Sequence, residues 1–191
     1  MVIAMSSPLP APASDWVRRY SALIPASSKA SVLDLACGHG RHARFLQQAG
    51  FKVCALDLNP AAFAELEALG IATLQHDLEQ APASLPFQNN SLAAIIVSNY
   101  LHRPLFGELQ RCLMPGGILI YETFMQGQQA LGKPSRPEFL LNPDELLGFA
   151  SAPGWHILGF EQGGFASADS SQRGQASMRQ RLCAQKPIVT V

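Results

Sequence analysis

Residues 32–43 read Val-Leu-Asp-Leu-Ala-Cys-Gly-His-Gly-Arg-His-Ala, and this stretch decides the fold. A short apolar run carries an acid, Asp34, near its end. The run breaks into a turn of small residues around Gly38 and Gly40, and a helix opens after it. Strand, tight turn and helix N-terminus together make a cradle for a cofactor. The glycines let the backbone approach a ligand that a side chain would block, and the first helical turn offers unpaired N–H groups. Gly-His-Gly-Arg-His-Ala also satisfies the dinucleotide pattern G-x-G-x-x-G/A, so the glycines alone leave the cofactor open.

Outward from this turn, apolar runs alternate with helical patterns. Strands are expected at 31–35, 52–56, 71–74, 93–98 and 117–122. Helices are expected at about 40–48 and 60–69, from Pro104, and from Asn142-Pro143. Residues 93–98 are almost wholly apolar, as suits a central parallel strand buried on both faces. Two last strands, about 156–161 and 178–184, close the chain as a hairpin. The order predicts an α/β fold: a doubly wound, mostly parallel seven-stranded sheet with an antiparallel C-terminal edge hairpin. Ahead of the sheet, 15–23 reads as a short helix with Trp16, Tyr20 and Leu23 toward one face, ended by Pro25 and Ser27-Ser28. That helix suits either a cover over the cofactor or plain packing. Residues 1–14, rich in Pro, Ala and Ser, read as a loose tail, and 15–191 as one domain.

In such a sheet, ligands bind outside the carboxyl ends of the strands, near the point where strand order reverses. Asp34 and the glycine turn end the first strand. Asp57, followed by Leu58-Asn-Pro, ends the second, 23 positions on. A carboxylate there can accept two hydrogen bonds from a ribose diol, or cap the helix that follows. His76-Asp77-Leu78-Glu79 ends the third, where Asp77 also suits a turn. Ser98-Asn99-Tyr100-Leu101-His102-Arg103 ends the fourth, and Tyr121-Glu122-Thr123-Phe124 the fifth. Acids after three strands, on one rim of one sheet, point to a ligand more than to packing.

The composition sets limits. A chain of 191 residues, 48% hydrophobic and 15% charged, is long enough for a sizeable core and is not disordered. A net charge of zero gives no broad attraction to nucleic acid or to an anionic membrane. No apolar run approaches the ~20 residues that span a bilayer, and no Lys or Arg precedes the apolar patch of the N-terminus, so no signal peptide is read there. The four scattered cysteines, with no C-x-x-C pair, read as free thiols in a reducing compartment, the cytoplasm. No metal site is assigned.

These residues resemble the class I S-adenosylmethionine-dependent methyltransferases. Asp34-Leu-Ala-Cys-Gly-His-Gly is similar to that family's first motif, although Ala36 stands where glycine is frequent. Asp57 resembles the acid that binds the ribose hydroxyls, and Asp77 the acid that meets the adenine amino group. Leu85-Pro-Phe-Gln-Asn-Asn-Ser-Leu resembles the approach to the fourth strand, with Ala93 where an acid is frequent. Leu113-Met-Pro-Gly-Gly-Ile-Leu resembles the turn into the fifth. The resemblance spans about residues 30–123, and its compact turn is most similar to the tellurite-resistance-type (TehB-like) branch. It implies a Rossmann-like fold that binds S-adenosyl-L-methionine and yields S-adenosyl-L-homocysteine. The implied cofactor residues are Asp34, Ala36, Cys37, Gly38, Gly40, Asp57, Leu58, Asp77, Leu78 and Asn99.

On the acceptor side, Tyr100 and His102 follow the fourth strand and are the candidate catalytic residues. Tyr100 suits the pocket lining, His102 a proton acceptor, and Arg103 a hold on an anion; all three equally suit capping and packing of the next helix. The connection 125–138 is long, leaves the fifth strand beside the expected site, and is expected to act as a lid. Small size and zero charge favour a small molecule or an oxyanion as the acceptor over a protein or nucleic acid. Two other readings fit the same fold: an NAD(P)-dependent oxidoreductase, for which the chain leaves no separate catalytic domain, and a non-catalytic cofactor-binding protein.

Overall fold

The structure, a computed structural model, describes residues 11–25, 30–151, 153–166 and 176–188. Residues 1–10 of the expected tail, Ser27-Ser28 and the C-terminal Val189 and Val191 lie outside the described residues.

Seven strands form one sheet: β1 (Ser31–Leu35), β2 (Val53–Asp57), β3 (Ala72–Gln75), β4 (Leu92–Ser98), β5 (Leu113–Phe124), β6 (His156–Ala166) and β7 (Ala176–Gln185). Their spatial order is β3-β2-β1-β4-β5-β7-β6. The first five run parallel, and β7 inserts antiparallel between β5 and β6. The doubly wound, mostly parallel α/β sheet with its antiparallel edge hairpin is therefore present. Strand order reverses between β1 and β4, which makes their carboxyl ends the expected ligand crevice.

Side chains alternate across the sheet with the two-residue period of a strand. In β4, Ile95 and Val97 face one core and Ala94 and Ile96 the other. The first core is covered by α4 (Phe106–Cys112) and α5 (Glu145–Phe149). The second is covered by α1 (Asp15–Tyr20), α2 (Arg41–Gln48) and α3 (Phe63–Ala68).

Three differences from the sequence reading matter. First, β5 begins four residues early, at Leu113, and Gly117 is the residue that permits it. A Cβ there would lie 2.9 Å from the Met114 carbonyl oxygen and 3.1 Å from that of Ala93. Second, the helix at 15–23 is α1 followed by a 3-10 turn, and one face of it packs on the sheet: Trp16 and Val17 are buried, and the Trp16 Nε1–H donates to the Leu182 carbonyl at 3.2 Å. Third, the end of the expected tail is built in. Ala13 is buried, and the Ser14 hydroxyl oxygen accepts from the Val17 N–H at 3.1 Å, capping α1. None of the described helices is long and apolar enough to cross a membrane.

Candidate functional site

The turn after β1 is left-handed three times over: Ala36, Gly38 and Gly40 have φ of 53°, 54° and 70°. Two glycines accept this freely, whereas alanine at Ala36 bears a cost of about 1 kcal/mol. Gly40 is also tightly packed, since a Cβ there would lie 2.5 Å from Leu66 Cδ2. Gly38 faces open space, with nothing within 4 Å of such a Cβ. The turn is tied to the end of β2: the Cys37 N–H donates to the Leu56 carbonyl at 3.0 Å and the Gly38 N–H to Asp57 Oδ2 at 2.7 Å. The other oxygen of Asp57 accepts from the Asn59 N–H at 2.9 Å, and Asn59, not Asp57, caps the turn into α3.

A cleft of about 780 Å³ opens beside this turn, walled by residues 36–39, by Arg41 and His42 of α2, and by Ser98, Asn99 and Tyr100 at the end of β4. Of the residues the sequence assigns to the cofactor, Ala36, Cys37, Gly38 and Asn99 line it. The other six do not, each for a visible reason. Asp34 alternates with Leu33 and Leu35 and points into the second core, where its carboxylate accepts from the Ala43 N–H at 2.9 Å. It therefore holds α2 against β1. Gly40 faces Leu66. Asp57 is turned to the backbone, accepting from the Gly38 and Asn59 N–H groups. Leu58 is 58% exposed, Leu78 is buried in the first core, and Asp77 accepts from the Glu79 N–H at 2.9 Å.

A second cavity, about 850 Å³, lies over the ends of β4 and β5. Its walls come from distant parts of the chain: residues 11–15, the connection at Gln128 and 131–133, Glu122 and Phe124 of β5, and Arg179 and Arg181 of β7. Ala11, Arg41 and Asn99 line both cavities, so the two meet there. Asn99 holds the junction in a left-handed conformation, φ 58°, and its Oδ1 accepts from Arg179 Nη1 at 2.6 Å. Arg41 Nη2 donates to the Ser98 hydroxyl at 3.2 Å, which donates to buried Glu122 at 3.1 Å; Arg181 Nε stands 3.6 Å from the same carboxylate.

Neither candidate catalytic residue reaches this second cavity. Tyr100 lies on the first, and burial pushes its phenol up, with Glu79, Asp77 and Asp57 adding to the shift. The phenol stays protonated and is a donor, not a base. His102 lies on neither wall. Arg103 is engaged elsewhere: Nε and Nη2 donate to Glu145 at 2.6 and 2.9 Å, and the guanidinium also reaches the Glu138 and Leu140 carbonyls. It straps the chain after the long connection and is not presented to an anion.

Ser98 and Glu122 stand at strand ends the sequence marks without a role, and the residues that sequence reasoning missed are Arg41, Arg179 and Arg181. One signal was available. Arg41 places a cation in the first turn of α2, where the helix dipole disfavours it, and such a placement asks for a reason beyond stability.

Residues 32–117 match the family model described as a methyltransferase domain. Residues 32–117 thus carry a methyltransferase domain. The chain is 36% identical over 118 residues to a malonyl-[acyl-carrier protein] O-methyltransferase of Pectobacterium atrosepticum; that match covers 57% of this chain and 44% of that protein. The chain thus spans less than half the length of that relative. Among solved structures, TehB from Haemophilus influenzae superposes with a TM-score of 0.69 at 21% identity, covering 90% of this chain and 61% of that one. An S-adenosylmethionine dependent methyltransferase from Mesorhizobium loti superposes with a TM-score of 0.64 at 19% identity, covering 88% and 96%. At these identities the two structures establish the shared fold. The cofactor of such a domain is S-adenosylmethionine. The first cleft of this methyltransferase domain fits it on three observations: open space beside Gly38, a cation at Arg41, and a buried Tyr100 hydroxyl with no hydrogen-bond partner among the described residues.

Proposed function

We propose that the protein transfers a methyl group from S-adenosylmethionine to a small-molecule acceptor. The observation that carries this reading is the meeting of two cavities at Arg41 and Asn99, outside the carboxyl ends of β1 and β4. When bound, S-adenosylmethionine supplies an electrophilic methyl group on a sulfonium, with S-adenosylhomocysteine as the leaving product. A one-step displacement of this kind chiefly requires two reactants held in line, and two adjoining cavities meet that requirement.

In this reading the first cleft takes the cofactor. The turn at 36–38 gives the backbone close approach. Asp57, at the end of β2, reaches the ribose diol by exchanging its bond to the Gly38 N–H, or by using its remaining lone pairs. Tyr100 donates its hydroxyl proton to the cofactor, and Asp77 borders the adenine end. Arg41 holds the cofactor's carboxylate at the junction. The second cavity takes the acceptor, and the 125–138 connection, through Gln128, Leu131 and Lys133, serves as its lid. A reducing, cytoplasmic setting agrees with the free cysteines Cys37, Cys54, Cys112 and Cys183.

Calorimetric titration with S-adenosylmethionine and S-adenosylhomocysteine, with NADH as control, tests the reading. Binding of both sulfur compounds at micromolar level, lost in Asp57→Ala, is expected; binding of NADH in their place would favour the oxidoreductase reading. The acceptor screen then follows methyl transfer from labelled cofactor, starting with small acids because of what the Pectobacterium relative is named for.

A further inference from the structure

We propose that the second cavity binds an oxyanion, a carboxylate or phosphate group of the methyl acceptor, and that Arg179 is the residue that holds it. This rests on the reading of that cavity as the acceptor site.

Zero net charge gives no warning of a cationic site, yet cations collect at this cavity. Its walls carry Arg18, Arg41, Lys133, Arg179 and Arg181, against two acids, Asp15 and Glu122. Glu122 is already committed: it faces Arg181 at 3.6 Å and accepts from the Ser98 hydroxyl. Arg181 also stands 3.8 Å from Glu161.

Arg179 is different. It is half-buried, and its two hydrogen bonds go to neutral groups, Asn99 Oδ1 at 2.6 Å and Ser177 Oγ at 2.9 Å. Its guanidinium lies 4.0 Å from the centre of the Phe124 ring, which fixes its plane. Burial is the main influence lowering its pKa, and Arg181 and Arg41 act in the same direction while Glu122 opposes them. A half-buried guanidinium beside two others is electrostatically unsatisfied, and an anion in the cavity relieves that cost. Two of its five N–H groups hold the side chain in place, and the rest of the fork suits the two oxygens of a carboxylate or phosphate. The bond to Asn99 places this anchor one residue from the junction with the cofactor cleft. An acceptor held at Arg179 therefore directs its anionic end toward the cofactor's methyl group, or its body across that junction.

The test uses three probes with one apolar body: hexanoate, hexyl phosphate and hexanamide. Each is titrated calorimetrically into the full chain, with and without saturating S-adenosylhomocysteine. At least one of the two anions is expected to bind about ten-fold or more tightly than the neutral amide, the difference that a charge-assisted hydrogen bond supports; which anion binds identifies the acceptor's group. Arg179→Met is expected to remove that preference and Arg179→Lys to restore part of it, with S-adenosylhomocysteine affinity within about two-fold of wild type in both. Anions binding no better than the amide in the wild-type protein would overturn the proposal without any variant, as would a preference that survives in Arg179→Met. Failure of S-adenosylhomocysteine to bind, with the anion preference intact, would instead overturn the methyl-transfer reading and leave an anion site.

Discussion

Arg103 and Glu145 form a two-pronged ion pair, Nε to Oε1 at 2.6 Å and Nη2 to Oε2 at 2.9 Å, across 42 residues of sequence. The pair joins the start of the α4 region to the start of α5. With the Arg103 bonds to the Glu138 and Leu140 carbonyls, it anchors the far end of the long connection that walls the second cavity. The near end is anchored by buried Gln128, which bonds the Met178 N–H and the Lys133 carbonyl.

Arg103→Ala removes four bonds at once. Arg103 is 37% exposed and Glu145 16%, so solvent recovers part of the loss. A destabilisation of about 2 kcal/mol is expected, which for a chain of this size lowers Tm by about 4–8 °C. Arg103→Lys cannot reproduce the fork and should lose more than half as much. Because the connection borders the acceptor cavity, acceptor KM should rise while cofactor affinity holds. A thermal melt with unchanged Tm would remove the strap.

The glycine turn separates conformational strain from crowding. Ala36→Gly relieves a left-handed alanine and should stabilise the fold by up to about 1 kcal/mol. Gly40→Ala meets both a φ of 70° and buried Leu66, and should cost about 2 kcal/mol or more. Gly38→Ala has the strain without the contact. Its cost should be near 1 kcal/mol in stability, with a larger effect on cofactor affinity because its Cβ enters the cleft. Urea unfolding should rank Ala36→Gly the most stable, then Gly38→Ala, then Gly40→Ala; equal costs at 38 and 40 would contradict the packing.

How far this was legible in the sequence depends on the distance over which a residue acts. Local features were legible: β1 falls at Ser31–Leu35 as expected, because Val32-Leu33 and Leu35 flank an acid between a loop and a glycine turn. The parallel sheet with its antiparallel edge hairpin is legible in the alternation of strands and helices, whereas the spatial order of the strands comes from the structure. What could not be read was which way a side chain at a strand end turns. The sequence groups Asp34 with Asp57 and Asp77 as a ligand residue, yet the strand period that buries Leu33 and Leu35 in one core commits Asp34 to the other. Tyr100 and His102 are two residues apart in an irregular stretch, where no period applies, and only one reaches a cavity. The acceptor cavity joins Ala11 to Arg179 through tertiary packing, and no local pattern announces contacts of that range.

Asp34 and His42 make opposite demands on pH. Burial pushes the Asp34 carboxyl from its ordinary 3.8 up to about 7, against the lowering influence of the Ala43 N–H and Arg41. Its contribution to stability is present below 3.8 and is lost as pH rises through about 7. Burial also pushes the His42 imidazole from 6.5 down to about 3, with Arg41 assisting. The neutral ring accepts from the Ser14 N–H at Nε2, 3.3 Å, and its contribution is present above 6.5 and lost as pH falls toward about 3. Between 3.8 and 6.5 the two trends oppose, so wild-type stability should vary little. Asp34→Asn keeps an oxygen for the Ala43 N–H and removes the first trend alone. Its urea midpoint should climb with pH across that window while the wild type stays flat; parallel profiles would show that Asp34 is ionised throughout.

Tyr100→Phe separates stability from binding. The Tyr100 hydroxyl is buried without a hydrogen-bond partner among the described residues, so its removal takes away a desolvated polar group and no bond. Stability should stay level or rise slightly, by about 0–1 kcal/mol. If the hydroxyl donates to the cofactor, the same variant binds S-adenosylmethionine about five- to ten-fold more weakly, the worth of one neutral hydrogen bond in a dry site. Because the hydroxyl faces the cofactor cleft and not the acceptor cavity, the loss should fall on cofactor KM, with kcat and acceptor KM unchanged. A variant that lowers kcat at saturating cofactor would return Tyr100 to the chemical step, and one that melts several degrees lower with unchanged affinity would make the ring a packing residue alone.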